Sequence, residues 1–587
     1  MGLLEKACKT YDVISKQTEN VGENEPLAPI SHIMAKPNIE VTLNQDGSFV
    51  FARALDKNAP KIIIPATEES AGRTSAPCAH PLCDQLSYVS PADEIKHGLY
   101  LQALLDWAKS EYGSPKLKAI LTYVRGGTIL NDLAGLDIIR LDAKGAPADE
   151  KLMVCWIVNG LGEDRSGPCW TDRELMESFA EYSAAMRTDK APALCMITGE
   201  KETPAGQHPK GIVPINGNAK LISANDSSGF TYRGRFSEAS QAATVGYTAS
   251  QKAHSALRWL IVNQGVSFGG QTFLCWNPNG KKVPEATGSI RRRNGNTQRA
   301  VTPTEYQEQL KKSLYGWKVD LPDEEDVIIA AFNAATTGRL AVTYYNELKA
   351  LDYLERLKYW EETTQWENGA YGIQSPSLFQ IISWAFGVPR GGKVDINDKV
   401  LAQQMQRLMA CKLEKKKLPL DIERALVEKA SSLVTYDEDN RFKLIFTTCA
   451  TIKKYRKDNF KEEWNMGLDE NCKDRSYLFG RLLAIAETVE NSTYSDNDRR
   501  ETNAMRMQKA FSLKPMTTWH ALEEKLNPYY KRLDPAREGF YKKKIGEITA
   551  YLQPTDPNLN KKLDDIYLLG YYHQRAYRKE KEPETEI

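Results

Sequence analysis

The 587-residue chain has no stretch approaching the ~20 consecutive apolar residues that a membrane-spanning helix needs. Its first twenty residues, MGLLEKACKTYDVISKQTEN, are too polar for a secretory signal, so the sequence predicts a soluble, cytoplasmic protein with no membrane partner. The ten cysteines include no CxxC pair, which argues against a disulfide framework and suits reduced thiols. There is no GxxxxGK[ST] loop, no GxGxxG after a strand and no HExxH, so nucleotide hydrolysis, dinucleotide chemistry and zincin chemistry lack their motifs. The seven histidines (His32, His80, His97, His208, His254, His520 and His573) stand apart in the sequence. Such scatter leaves room for a metal-independent ribonuclease, which needs one His or Lys near a 2′-hydroxyl.

Two partial motifs fall short. Gly265-Val266-Ser267-Phe268-Gly269 matches GxSxG, but a nucleophile elbow joins a strand to a helix, and the run before it reads as helix. Cys78, His80 and Cys83 lack a fourth nearby ligand for structural zinc, and Cys195 and His208 would have to be recruited from afar. The sequence therefore predicts no metal, no cofactor and no catalytic residue.

Net charge is only +1, but its distribution is uneven. Residues 201–318 carry 16 Lys plus Arg against 6 Asp plus Glu, while residues 319–380 carry 4 against 11. The basic block suggests a phosphate-facing surface, with solvated loops or a basic protein interface as the alternatives.

Periodicity predicts an α+β chain, with mixed α/β N-terminal and middle regions followed by a mostly helical C-terminal bundle. A first helix covers residues 2–16, and Ile39, Val41 and Leu43 alternate with polar residues before Asn44-Gln45-Asp46-Gly47 turns the chain into a returning strand. Residues 62–64 and 151–158 read as strands; 99–108, 117–124, 171–186 and 253–261 read as helices, with Pro115 placed to begin the second. From about Val327 the pattern becomes mostly helical, with a short strand at 442–446. The clearest helix carries Leu478, Leu482, Ile485 and Val489 on one face behind Asp474 or Ser476 as N-cap. These readings divide the chain at 1–150, 151–320, 321–397 and 398–587.

Four glycine-containing polar loops, at 70–80, 125–131, 225–236 and 265–272, have the composition for nucleic-acid contact. Glycine lets backbone N–H groups approach phosphate, and Arg, Asn, Thr and Ser reach base edges. The candidate DNA-binding residues they supply are Arg73, Thr74, Ser75, His80, Arg125, Asn131, Arg233, Arg235 and Gln271. Arg291, Arg292 and Arg293 are added as an exposed arm for a DNA strand, a solvated loop being the alternative.

Several phrases in fixed order resemble the large-subunit family of type I-C CRISPR systems, also called the Dvulg-subtype Csd family. They include LAPISHIMAKPNIEVTLNQDGSFV, IIIPATEESAGRTSAPCAHPLCDQLSYV, HPKGIVPINGNAKLISANDSSGFTYRGRF, GQTFLCW, GRLAVTYYNEL, SYLFGRLLAIAETVE and GYYHQRAY, and they span nearly the whole chain. The chain departs from the family pattern at Ser223-Ala224-Asn225 and Tyr232-Arg233-Gly234. The resemblance implies a non-catalytic large subunit of an RNA-guided surveillance complex, which recognises a protospacer-adjacent motif, binds target DNA, supports R-loop formation and recruits a nuclease. Its implied partners are CRISPR RNA, target double-stranded DNA, the handle-binding, backbone and small Cascade subunits, and a Cas helicase-nuclease. It also implies a small subunit encoded inside the same reading frame, for which Met466 is the expected start. The rival readings are a metal-independent endoribonuclease acting through His80 or His573 and a purely structural scaffold.

Overall fold

The computed structural model describes residues 2–17, 25–73, 76–143, 145–162, 165–187, 191–223, 235–237, 239–291, 299–334, 336, 338–390, 393–495 and 500–581. The chain forms two compact units, one from residues 1–282 with 326–347, the other from 283–325 with 348–587.

In the first unit the expected N-terminal helix spans Leu3–Ile14 and packs on helix Tyr247–Gln264. Small residues line that seam: Ala7, Ala249, Ala253 and Ala256 are all buried in one core cluster, so the two backbones approach closely. The predicted hairpin is Ile39–Asn44 with Phe49–Ala54. Gly47 makes its turn at φ +85°, and a Cβ there would sit 2.7 Å from the carbonyl oxygen of Ala119, so glycine is required twice over. Ile39–Asn44 also pairs in parallel with Val154–Asn159, Ile39 opposite Val154 and Asn44 opposite Asn159. Val41, Leu43, Trp156 and Val158 from these strands are wholly buried with Trp107 and Leu117.

A separate ladder joins His32–Ala35 to Ile62–Pro65 and thereby fixes the start of the loop that follows Pro65. The second sheet of this unit has the order Ala341–Lys349, Asp326–Asn333, Gln271–Trp276, Val266–Phe268. Two of these strands lie where the sequence predicts mostly helix. Asp326–Asn333 is buried on both faces from Val327 to Phe332, so its residues are continuously apolar and show no alternation to mark a strand. Ser267, the centre of the GxSxG match, sits on Val266–Phe268 with Oγ 2.9 Å from Thr272 Oγ1, and the chain turns into another strand rather than a helix.

In the second unit, among the described residues, the chain is mostly helical. The strand expected at 442–446 lies inside helix Glu438–Phe460, which Asp437 caps by accepting from Asn440 N–H at 2.9 Å. Helix Arg475–Asn491 starts as expected, with Asp474 accepting from Ser476 N–H at 2.7 Å and Tyr477 N–H at 3.1 Å. Every residue from Ser476 to Glu490 is buried, which makes this the central helix of its bundle. It crosses Ile566–Lys581 at two reciprocal glycines: a Cβ on Gly480 would lie 1.9 Å from Tyr567 O, and one on Gly570 would lie 2.2 Å from Tyr477 O. Trp519 and Tyr571 are buried here. No described helix is long and apolar enough to cross a membrane.

Candidate nucleic-acid interface

The loop after Pro65 is built from its own polar side chains. Thr67 caps the short helix Glu68–Gly72 and Ser70 returns the bond to Thr67 N–H, so a capping box sets the direction of the chain into Arg73. Asp84, wholly buried, then closes the loop. It accepts from Arg73 Nη1 at 2.7 Å, Arg73 Nη2 at 2.5 Å, His80 N–H at 2.7 Å and Gln85 N–H at 2.7 Å. The Arg73 guanidinium also donates to Cys78 O at 2.7 Å and lies 4.6 Å from the Tyr88 ring centroid. His80 Nδ1 meets Ser70 Oγ at 2.9 Å, and burial pushes the ring pKa down to about 4.

Arg73 and His80 thus hold the loop in shape, the guanidinium bonded to a carboxylate and a carbonyl and set against a ring, the imidazole bonded to Ser70. The loop apex between them, Thr74 and Ser75, lies outside the described residues.

A second loop, carrying the His208-Pro209-Lys210-Gly211 phrase, docks on the first. Gly206 N–H donates to the Glu68 carboxylate at 3.0 Å, and Lys210 Nζ donates to Arg73 O at 3.1 Å. Lys220 Nζ reaches Gln207 Oε1 at 3.4 Å. Two lysines therefore stand beside the Arg73–Asp84 ion pair. Burial lowers the pKa of Lys210, and Lys220 and Arg73 lower it further, with no carboxylate opposing them. Lys220 is lowered by burial too, against Glu68. Cations held together this way repel one another and gain from a polyanion.

Beside this cluster lies a cavity of about 200 Å³, lined among others by His32, His208, Lys210, Gln251, His254 and Arg258. Gln251, His254 and Arg258 come from successive turns of one face of helix Tyr247–Gln264, at i, i+3 and i+7. His208 and His254, far apart in sequence, stack with centroids 5.9 Å apart at 23°. His208 Nδ1 meets Ser250 Oγ at 2.8 Å, and burial, helped by Lys220, pushes His208 down to about 4. Sequence reasoning weighed His208 only as a distant zinc ligand and gave Gln251, His254 and Arg258 no role. The signal was present in the spacing of Gln251, His254 and Arg258, which share a helix face with an otherwise apolar pattern.

The remaining candidates scatter. Arg125 and Asn131 are exposed, on helices Pro115–Gly126 and Ile129–Gly135. Arg235 is exposed, with its guanidinium 5.3 Å from the Phe236 ring centroid. Gln271 is 1% exposed within its sheet and donates to Thr343 Oγ1. Arg291, expected on an exposed arm, is 6% exposed in the second unit; it donates to Ile373 O at 3.1 Å and to Gln309 Oε1, and stacks 4.2 Å from the Tyr306 centroid. An aromatic shelf buried this cation, which a reading of adjacent arginines does not anticipate. Arg233, Arg292 and Arg293 lie outside the described residues.

His80 and His573, the two histidines that the endoribonuclease reading would use, are 5% and 2% exposed. His573 Nδ1 bonds Tyr477 Oη at 2.9 Å inside the helical bundle. Comparison with individually curated proteins gives no significant match. The family model described as CRISPR-associated protein (Cas_Csd1) matches residues 8–578, and the chain belongs to that family.

Proposed function

We propose that this chain is the non-catalytic large subunit of a type I-C RNA-guided surveillance complex, and that it grips target DNA beside the protospacer-adjacent motif with its paired loops at 66–84 and 206–220. The observation that carries this reading is the approach of Lys210 and Lys220 beside the Arg73–Asp84 pair, with no carboxylate among the described residues opposing Lys210. Phosphate is the chemistry that relieves such a cluster. Base pairing of CRISPR RNA supplies sequence choice in this scheme, so the protein's share is phosphate grip, limited base contact and opening of the duplex. The backbone and small subunits complete the complex, and cleavage belongs to the recruited helicase-nuclease.

Arg125 and Asn131 are exposed on neighbouring helices of the same unit and extend the reading to a second phosphate contact. The helices after Met466 form the small-subunit-like module, since Met466 lies between helices Glu438–Phe460 and Arg475–Asn491 and initiation there keeps the latter whole.

The test is the salt dependence of target-DNA binding by the reconstituted complex. A Lys210→Ala/Lys220→Ala variant should weaken binding to all sequences alike and flatten the log–log salt slope by roughly 0.9 for each phosphate that is no longer neutralised. An unchanged slope would remove this cluster from the interface.

A further inference from the structure

The cavity beside the lysine pair has a polarity that phosphate alone does not explain. His32 Nδ1 lies 2.9 Å from Ile30 O, and His254 Nδ1 lies 2.7 Å from Ser250 O. A carbonyl oxygen only accepts, so each ring carries its proton on Nδ1 and leaves Nε2 as a bare lone pair. His254 Nε2 is buried without a partner, although an unmet polar atom in a core costs about 1–3 kcal/mol. Burial holds both rings near pKa 4, so they are neutral acceptors at pH 7. The side chain of Gln251, 8% exposed, lines the same cavity.

The lining thus sets two imidazole acceptors beside the cations Lys210 and Arg258, whose Nε is itself buried without a partner. Lys210 is half-buried in this lining and spends one of its three donors on Arg73 O. Arg258 is held by Gly211 O at 2.6 Å and by Glu25, which leaves Lys210 as the cation open to an anion. An inorganic anion pressed against two imidazole lone pairs would be repelled; a molecule with amine donors at one end and phosphate at the other meets both demands. Size narrows the choice. A cavity of about 150 Å³ holds a benzene ring, so about 200 Å³ accommodates one heterocycle and not two stacked ones.

We propose that this cavity receives a single unstacked nucleotide of a target-DNA strand, with an amino-bearing base against His32, His254 and Gln251 and its phosphate on Lys210. The proposal rests on the DNA-gripping reading above and adds base preference to it. Adenine, cytosine and guanine present exocyclic amines, whereas thymine offers one N–H flanked by two carbonyls that would face the imidazole lone pairs. Taking one base out of the stack costs a few kcal/mol, least in an already opened strand, so the site would act where the duplex is being separated.

The experiment uses the full-length chain and fluorescein-labelled oligodeoxythymidylates whose central position is adenine, purine lacking the amine, or abasic, with binding read by anisotropy. The adenine oligonucleotide should bind roughly tenfold more tightly than the other two. Gln251→Leu and, separately, His254→Phe should erase that preference while leaving the abasic affinity unchanged. Lys210→Ala should weaken all three alike. Tight binding to all three with no preference would overturn the cavity proposal and leave the DNA grip standing. Absence of binding to any of them would overturn the grip itself. Free deoxyadenosine monophosphate serves as competitor: displacement of the adenine oligonucleotide by an equal nucleotide concentration would make this a free-nucleotide site and overturn the strand assignment.

Discussion

Gly480→Ala is the substitution whose cost can be worked out most directly from the structure. The new methyl carbon would be built 1.9 Å from Tyr567 O, 2.8 Å from Tyr567 C and 2.8 Å from Tyr571 N. All three are backbone atoms of the facing helix, so no side-chain rotation relieves the overlap. Restoring an ordinary separation of about 3.5 Å moves the helices apart by roughly 1.5 Å, and even a gap of 0.5–1 Å forfeits a quarter to a half of the dispersion attraction along the seam. Overpacking typically costs about 1–3 kcal/mol, and the opening of the seam on either side of Gly480 puts this case at the upper end. The better helix propensity of alanine returns about 1 kcal/mol. A net destabilisation of about 2 kcal/mol is expected. Urea denaturation followed by hydrogen exchange of peptides from 475–491 and 566–581 measures it, with a downward shift of the midpoint by roughly 1 M for an m of about 2 kcal/mol/M. Gly546→Ala is the control, since nothing lies within 4 Å of its new Cβ inside helix Pro535–Thr549, and it should stabilise by up to about 1 kcal/mol. The same rise for Gly480→Ala would refute the seam.

Further expectations follow from buried charge and from the reading frame. His32, His80, His208, His254 and His573 are each pushed down to about 4 by burial, so the folded state keeps them neutral while the unfolded chain binds protons below about pH 6.5. The stability they lend is present above that pH and drains as pH falls towards 4, about 1.4 kcal/mol per histidine by pH 5.5, and equal urea midpoints at pH 7.5 and 5.5 would contradict it. Asp84→Ala strands the Arg73 guanidinium and should cost about 3–5 kcal/mol, read as faster exchange in peptides spanning 70–88; unaltered exchange there would mean that the loop is held by other contacts. Replacing the Met466 codon by a non-start codon should abolish a species with the intact mass of residues 466–587, and its persistence would exclude that start.

Local signals were legible wherever one face met solvent or a cap was needed. The hairpin around Gly47, the Pro115 helix start and the Asp474 cap all stand where spacing and turn chemistry put them. Buried apolar runs were not. Val327–Phe332 and Phe442–Phe446 are both short and apolar, yet one is an inner strand and the other part of a helix, and only long-range packing decides between them. Two of the phrases that carried the family resemblance, SYLFGRLLAIAETVE and GYYHQRAY, lie on the two sides of the glycine seam. At the candidate site, loop composition drew attention to Arg73 and Arg291, whose partners, Asp84 and Tyr306, are supplied by folding. The cavity was hidden because its histidines come together only in three dimensions.

The order in which the chain visits its two units bears on synthesis. The ribosome delivers residues 1–282 first, but this unit still lacks Asp326–Asn333, the strand that lies against Gln271–Trp276. Until that strand emerges, the backbone edge of Gln271–Trp276 and the apolar side chains Phe273, Leu274 and Trp276 have no cover from it, a state that invites mispairing. Residues 283–325 must likewise wait for the helices beyond 348. Completion of the first unit therefore waits until residues 326–347 have been synthesised.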